Sequence, residues 1–231
     1  MNSSSNSPFN RRQLISATLG AAGVLAAGAA SNQAAVQTNS PYGSQPLKGK
    51  KVLVAIGDFS EGMETYYMVY RLMEEGVEPV IAAASAKRLQ MVVHDFEPEY
   101  TNYTEKLGYF IQTHIAYDDV KPADYDALLI PGGRGPEEIR QYASARDLVS
   151  FFLDSKRPLG AMCHGPQVVC AGRSLKGRRM TSYPGVRVDL EAVGATYIDE
   201  PVVVDGSLVT SRGWPDLPYF MIEFLNVLSR D

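Results

Sequence analysis

The pentapeptide Ala161-Met162-Cys163-His164-Gly165 constrains the fold more than any other stretch, because it sets a thiol at the junction of an apolar run and a helix start. Residues 158–162 read as a short buried strand and residues 166–171 as a helix opening, with Pro166 in its first turn. Ala161 and Gly165, two residues before and two after the cysteine, leave room for a sharp strand-to-helix turn. This is the grammar of the Gly-x-Ser-x-Gly nucleophile elbow with sulfur in place of oxygen. A thiol at a helix N-terminus feels the positive end of the helix dipole, which is expected to lower its pKa. The competing reading of Cys163 is a small buried hydrophobe, the usual fate of a free cysteine. Cys170 reads as core. Seven residues along a helix is about 10 Å at ~1.5 Å per residue, beyond the reach of a disulfide with Cys163.

Strand-turn-helix is also the rhythm of the rest of the chain. Residues 51–56 form an apolar run, followed by Met63, Tyr66, Tyr67 and Tyr70 at helical spacing and a second apolar run at 77–84, which together predict a parallel βαβ unit. Residues 125–130 predict a strand ending in Pro131-Gly132-Gly133, and residues 136–153 a helix leading to the elbow strand. The Asp205-Gly206 pair between two β-rich runs predicts a hairpin at a sheet edge. Residues 217–228 place Phe220, Met221, Phe224 and Leu228 on one helical face. Residues 91–109, with Phe96, Tyr100, Tyr103 and Tyr109 among acids and Pro98, are too irregular for a helix. They read either as a surface excursion or as a substrate-shaping loop or subunit contact. The alternation implies an α/β sandwich around a mostly parallel sheet.

Composition narrows the function. A chain of 231 residues, 45% hydrophobic, with a formal charge of -4 suits one globular domain and offers no basic footprint for nucleic acid. Two cysteines make no disulfide scaffold, and His94, His114 and His164 are not spaced with cysteines as zinc ligands, so no metal or cofactor is expected. Arg11-Arg12 precedes an Ala/Gly-rich stretch at 17–30 with a small-x-small site at Ala27-Gly28-Ala29, which resembles a twin-arginine export signal; the alternative is a disordered tail. The stretch is too short to span a bilayer in the mature protein. The expected organisation is a signal at 1–30, a polar linker at 31–46 and a domain at 47–231, with a periplasmic destination, or a cytoplasmic one if the arginine pair is incidental.

The elbow, residues 125–137 (Tyr-Asp-Ala-Leu-Leu-Ile-Pro-Gly-Gly-Arg-Gly-Pro-Glu) and the Thr181-Ser182-Tyr183-Pro184-Gly185 segment together resemble the ThiJ/PfpI superfamily, close to PfpI-type cysteine peptidases and the parkinsonism-associated deglycases. The likeness runs from residue 51 to about 229 in three separated motifs. It implies a flavodoxin-like three-layer α/β/α sandwich of the class I glutamine-amidotransferase type, a cysteine on an elbow, and homo-oligomers, dimers or larger, with interfaces near the sites. Carried over by position, it sets Glu64 beside the thiol as a protonated carboxyl that hydrogen-bonds sulfur. It makes His164 a general base completed by Glu137 of a neighbouring subunit, or else a structural imidazole. The backbone N–H groups of Gly133 and His164 fall at an oxyanion hole. Lys106 falls at a pocket lysine, although Leu107 replaces the family's neighbouring histidine. Trp214 follows the Ser211-Arg212-Gly213 turn as a pocket roof or as core packing.

The resemblance implies an enzyme whose Cys163 attacks a peptide or amide carbonyl, or a reactive carbonyl in the manner of a glyoxalase or deglycase. The alternative is a redox sensor in which Cys163 oxidises to a sulfinate stabilised by Glu64. A glutaminase subunit is disfavoured, because no histidine follows His164 to complete such a triad.

Overall fold

A computed structural model describes residues 44–230. The expected export signal at 1–30 and the linker as far as residue 43 lie outside the described residues. In chain order the elements are β1 (Lys51–Ala55), α1 (Gly62–Glu74), β2 (Glu78–Ala83), β3 (Arg88–Asp95), β4 (Thr104–Gln112), β5 (Ile115–Ala116), β6 (Ala127–Ile130), α2 (Gly135–Ile139), α3 (Ala143–Asp154), β7 (Leu159–Met162), α4 (Pro166–Cys170), β8 (Arg179–Met180), α5 (Arg187–Ala192), β9 (Thr196–Tyr197), β10 (Val202–Asp205), β11 (Leu208–Ser211) and α6 (Leu217–Leu228).

Seven strands form the central sheet in the order β10-β11-β7-β6-β1-β2-β5. Every pairing is parallel except the β10–β11 hairpin, which forms one edge as the Asp205-Gly206 turn predicts. Strand residues alternate between two cores: Val52, Val54 and Ile56 face α1 and α6, while Leu53 and Ala55 face the side of α3, α4 and α5. A strand buried on both faces must be apolar throughout, which is why β1, β6 and β7 read as unbroken hydrophobic runs. Each fully buried Leu, Ile or Phe contributes about 1.5–3 kcal/mol to this three-layer packing.

Two sequence expectations change. The helix expected over 136–153 is two helices, because the chain turns at 140–142. The side chain of Arg146 stabilises that turn by donating to the carbonyls of Arg140 (2.9 Å) and Gln141 (2.8 Å). The irregular 91–109 stretch is most of an antiparallel hairpin, β3–β4, with a register shift between Gln90 and Val92. Its period-2 pattern is masked by that bulge and by an aromatic tip at 96–103.

The order of strands creates the site. The chain leaves β1 for β2 on one side, then crosses to β6 on the other, so the loops after β1 and β6 diverge and open a crevice at the strands' C-terminal ends. The two loops are stitched together by the Glu61 N–H donating to the Gly132 carbonyl at 3.0 Å. The β3–β4 hairpin docks on the same place: Val92 N–H donates to the Ser60 carbonyl (3.0 Å) and Phe59 N–H to the Gln90 carbonyl (2.7 Å).

Candidate active site

Cys163 follows β7 directly and has φ 57°, in the left-handed region that few non-glycine residues adopt. The strained backbone is held at both ends. Cys163 N–H donates to the Ser211 carbonyl, and the Cys163 carbonyl accepts from Tyr183 N–H, each at 3.0 Å. Gly165 is packed so closely against the Ile130 and Met162 carbonyls that a Cβ there would collide with both. The small residue after the thiol is therefore a steric requirement of the elbow.

Glu64 reaches the thiol from the first turn of α1. Glu61 caps that helix, its carboxylate accepting from Glu64 N–H at 2.7 Å. Glu64 is fully buried; its Oε2 accepts from Gly132 N–H at 2.6 Å, while Oε1 has no hydrogen-bond partner other than what the thiol can offer. Burial, and then the neighbouring Glu61 carboxylate, push Glu64 up to about 8, so the carboxyl keeps its proton at neutral pH. Gly132 makes the approach possible. A Cβ on it would collide with Cys163 Cβ and lie 2.8 Å from Sγ and 2.9 Å from Glu64 Oε2.

The expected lowering of the thiol pKa by the helix dipole is reversed in the closed site. Burial pushes Cys163 well above its ordinary value, as does Glu64 once it is ionised, above about pH 8, against the opposing pull of the Gly133 and His164 backbone N–H groups. α4 has only five residues, so its dipole is small against the loss of water around sulfur. Glu64 and Cys163 thus act as a pair that retains its protons, and the carboxyl O–H is available to sulfur as its anion forms.

His164 is buried and both ring nitrogens lack partners. Burial lowers it to about 4, which keeps the imidazole neutral. Its own Glu137, exposed on α2, makes no bond to it. What holds the ring is aromatic: Tyr183 stacks on it (5.1 Å between centroids, 27°) and Tyr103 meets it edge-on (5.7 Å, 77°). Trp214 lies at the same place, stacked on Phe96 of the hairpin tip (5.8 Å), with its indole N–H buried and unpartnered.

Lys106 is corrected. It is exposed and pairs across the hairpin with Val93, while its neighbour Glu105 points the opposite way, toward His94. Strand alternation sends adjacent side chains to opposite faces, so Lys106 cannot line the pocket once Glu105 faces it. Gly133, Glu64, His164 and Cys163 are brought together. Tyr103, His94, Glu105 and Tyr183 join them; the sequence offered Tyr103 only as part of a possible substrate-shaping loop and Tyr183 only as part of a family motif, and gave none of the four an individual role. The aromatic richness of 91–109 was the available signal.

A model of the DJ-1/PfpI family matches residues 50–227. The chain belongs to the DJ-1/PfpI family. It is 43% identical over 180 residues to an uncharacterized protein of Archaeoglobus fulgidus, covering 78% of this chain and 99% of that one. It is 37% identical over 178 residues to a Pyrococcus abyssi protein named a deglycase, covering 77% and 99%. Among solved structures, a two-domain Anabaena variabilis protein with DJ-1/ThiJ/PfpI-like and ferritin-like domains matches with a TM-score of 0.67 and 28% identity, over 78% of this chain and 48% of that one. The flavodoxin-like three-layer fold of this family agrees with the sheet order and flanking helices described above. No helix among the described residues is long and apolar enough to cross a membrane.

Proposed function

We propose that this protein is a cysteine-nucleophile enzyme acting on carbonyl substrates, with adducts of reactive aldehydes on amines or thiols as its substrate class. The observation that carries the reading is the convergence on one sulfur of a strained elbow, a protonated buried carboxyl and two backbone N–H donors. Similarity to proteins named deglycases supports the choice of substrate.

The chemistry needs no redox partner. Cys163 Sγ bonds to the carbonyl carbon, the C=O π bond breaks, and the thiol proton ends on the oxygen, giving a hemithioacetal or, from an amide, a tetrahedral adduct. Charge developing on that oxygen falls beside the Gly133 and His164 N–H groups. The Glu64 O–H stabilises sulfur while it is anionic. As the adduct collapses, neutral His164 takes that proton from the oxygen and delivers it to the departing group. From an amide adduct the amine departs and leaves a thioester, which water hydrolyses. From a dicarbonyl adduct sulfur displaces the amine or thiol, which leaves with a proton. The hemithioacetal so formed passes the hydrogen of its sulfur-bearing carbon to the adjacent carbonyl carbon to give a 2-hydroxy thioester, and water hydrolyses that thioester to the acid and the free thiol. Glu137 is the carboxylate that a neighbouring copy would present to His164.

The test is turnover of a methylglyoxal-modified amino acid and of a fluorogenic aminoacyl amide by wild type, Cys163→Ala and Cys170→Ala. Loss of turnover only in Cys163→Ala is expected. Absence of turnover with either substrate, together with stoichiometric sulfinate at Cys163 after mild peroxide, would favour the redox-sensor reading instead. Residues 1–30 are proposed to direct export by the twin-arginine route. Changing Arg11 and Arg12 to lysine should then leave unprocessed precursor in the cytoplasm, and an intact Met1 on protein from the native cytoplasm would oppose the idea.

A further inference from the structure

The ring of His164 has no hydrogen bond to set its plane, yet a proton-moving imidazole must be held to a narrow range of orientations. The structure supplies the constraint from the β3–β4 hairpin. Tyr103 meets His164 edge-on and Tyr183 at 5.5 Å, while its other neighbour is His94, whose ring stacks on it at 4.1 Å and 25°. His94 is buried, and its Nε2 bonds Glu105 Oε2 at 3.0 Å. Glu105 receives both Arg134 Nε (2.7 Å) and Arg134 Nη2 (2.8 Å) in a bidentate pair, and the Arg134 guanidinium lies over the Phe59 ring at 4.5 Å. Arg134 directly follows the oxyanion-hole residue Gly133. On the other side, Tyr183 donates its O–H to Asn102 Oδ1 at 2.9 Å, and the same oxygen accepts from Tyr103 N–H at 2.9 Å.

From this chain of contacts we infer that Tyr103 is the positioning residue for His164, and that the Arg134–Glu105–His94 chain latches it over the thiol. The inference rests on reading Cys163 and His164 as the reacting centre. It assigns orientation of the imidazole to the protein's own hairpin, whichever carboxylate a neighbouring copy presents. It also explains why Cys163 is closed from solvent: the aromatic tip that holds the histidine is the roof, and a cleft of about 270 Å³ between Phe96, Pro98, Tyr100, Asn102 and Tyr183 lies beside it.

The protein has three histidines, so its imidazoles can be followed one by one by NMR with labelled histidine. In the wild-type chain His164 should titrate at about 4, with His94 on β3 and Asp189 on α5 the charged neighbours that bear on it. Tyr103→Ala should move that titration toward the ordinary value of about 6.5. It should also lower kcat by about 10-fold or more with a smaller change in KM. Tyr103→Phe, which keeps the ring, should recover most of the loss. Glu105→Gln, which weakens the latch and leaves Tyr103 in place, should shift His164 the same way by less. An unmoved His164 titration and unchanged kcat in a folded Tyr103→Ala protein would overturn the inference. If that variant does not fold, the Glu105→Gln titration decides, and no shift there overturns it. The NMR arm needs no substrate, so failure to find turnover would count against the proposed function without touching this test.

Discussion

Cys163 and Cys170 are both buried thiols, seven residues apart, one on the turn between β7 and α4 and the other at the end of α4. Burial raises the pKa of each, Cys170 to about 12. Accessibility and pKa direction therefore do not separate them. What separates them is the surroundings of sulfur. Cys163 sits on left-handed backbone with a carboxyl and two N–H donors converging on it, whereas Cys170 ends α4 and belongs to the second hydrophobic core. A nucleophile is a thiol whose anion has somewhere to be stabilised once substrate arrives. That criterion is why Cys163 is the proposed nucleophile and Cys170 is assigned to the core.

The comparison breaks most severely if the space around Sγ is filled. Gly132→Ala places a methyl group against Cys163 Cβ and between Sγ and Glu64, so the elbow and the carboxyl cannot keep their positions. A loss of turnover of about 100-fold is expected, the scale of an ångström's misplacement at a reacting centre, with far-UV circular dichroism preserved. Retained turnover in a folded variant would show that the close approach of thiol and carboxyl is incidental.

A smaller effect sharpens the role of Glu64. Glu64→Leu removes the donor, so the rate of Cys163 alkylation at pH 7 should fall about 10-fold, the equivalent of one pKa unit. Glu64→Gln keeps an N–H donor and should lose less. The same residue has a signature in stability. A carboxyl whose native pKa is raised from 4.5 to about 8 binds a proton that the unfolded chain has released, so stability should decline as pH rises from about 4.5 to about 8. Glu64→Gln should flatten that decline in denaturant titrations at several pH values. An equal slope in both proteins would mean that Glu64 is ionised in the native state.

The elbow was legible in the sequence because its constraint is local: one strained residue needs small neighbours two positions away on either side. The strand alternation was legible for the same reason, since a strand buried on both faces shows itself as an apolar run. The roof was not. Tyr103 acquires its place through His94 across a bulged hairpin, and the latch joins Glu105 to Arg134, 29 residues further on. The likeness to the family placed Lys106 at the pocket, but the register of β4 turned that residue outward and its neighbour Glu105 inward. Such a register is set by pairing with β3 and by docking on the loop after β1, neither of which a local pattern of residues specifies.

The two cysteines can be compared directly in one protein by treating it with iodoacetamide at pH 7, quantifying each cysteine-bearing peptide by mass spectrometry and measuring residual turnover in parallel. The account predicts that modification accumulates at Cys163, slowed by a competing substrate, that turnover falls in step with it, and that Cys170 stays unmodified while the fold is intact. Modification of Cys170 first, or turnover that survives complete modification of Cys163, would contradict the assignment of Cys163 as the nucleophile.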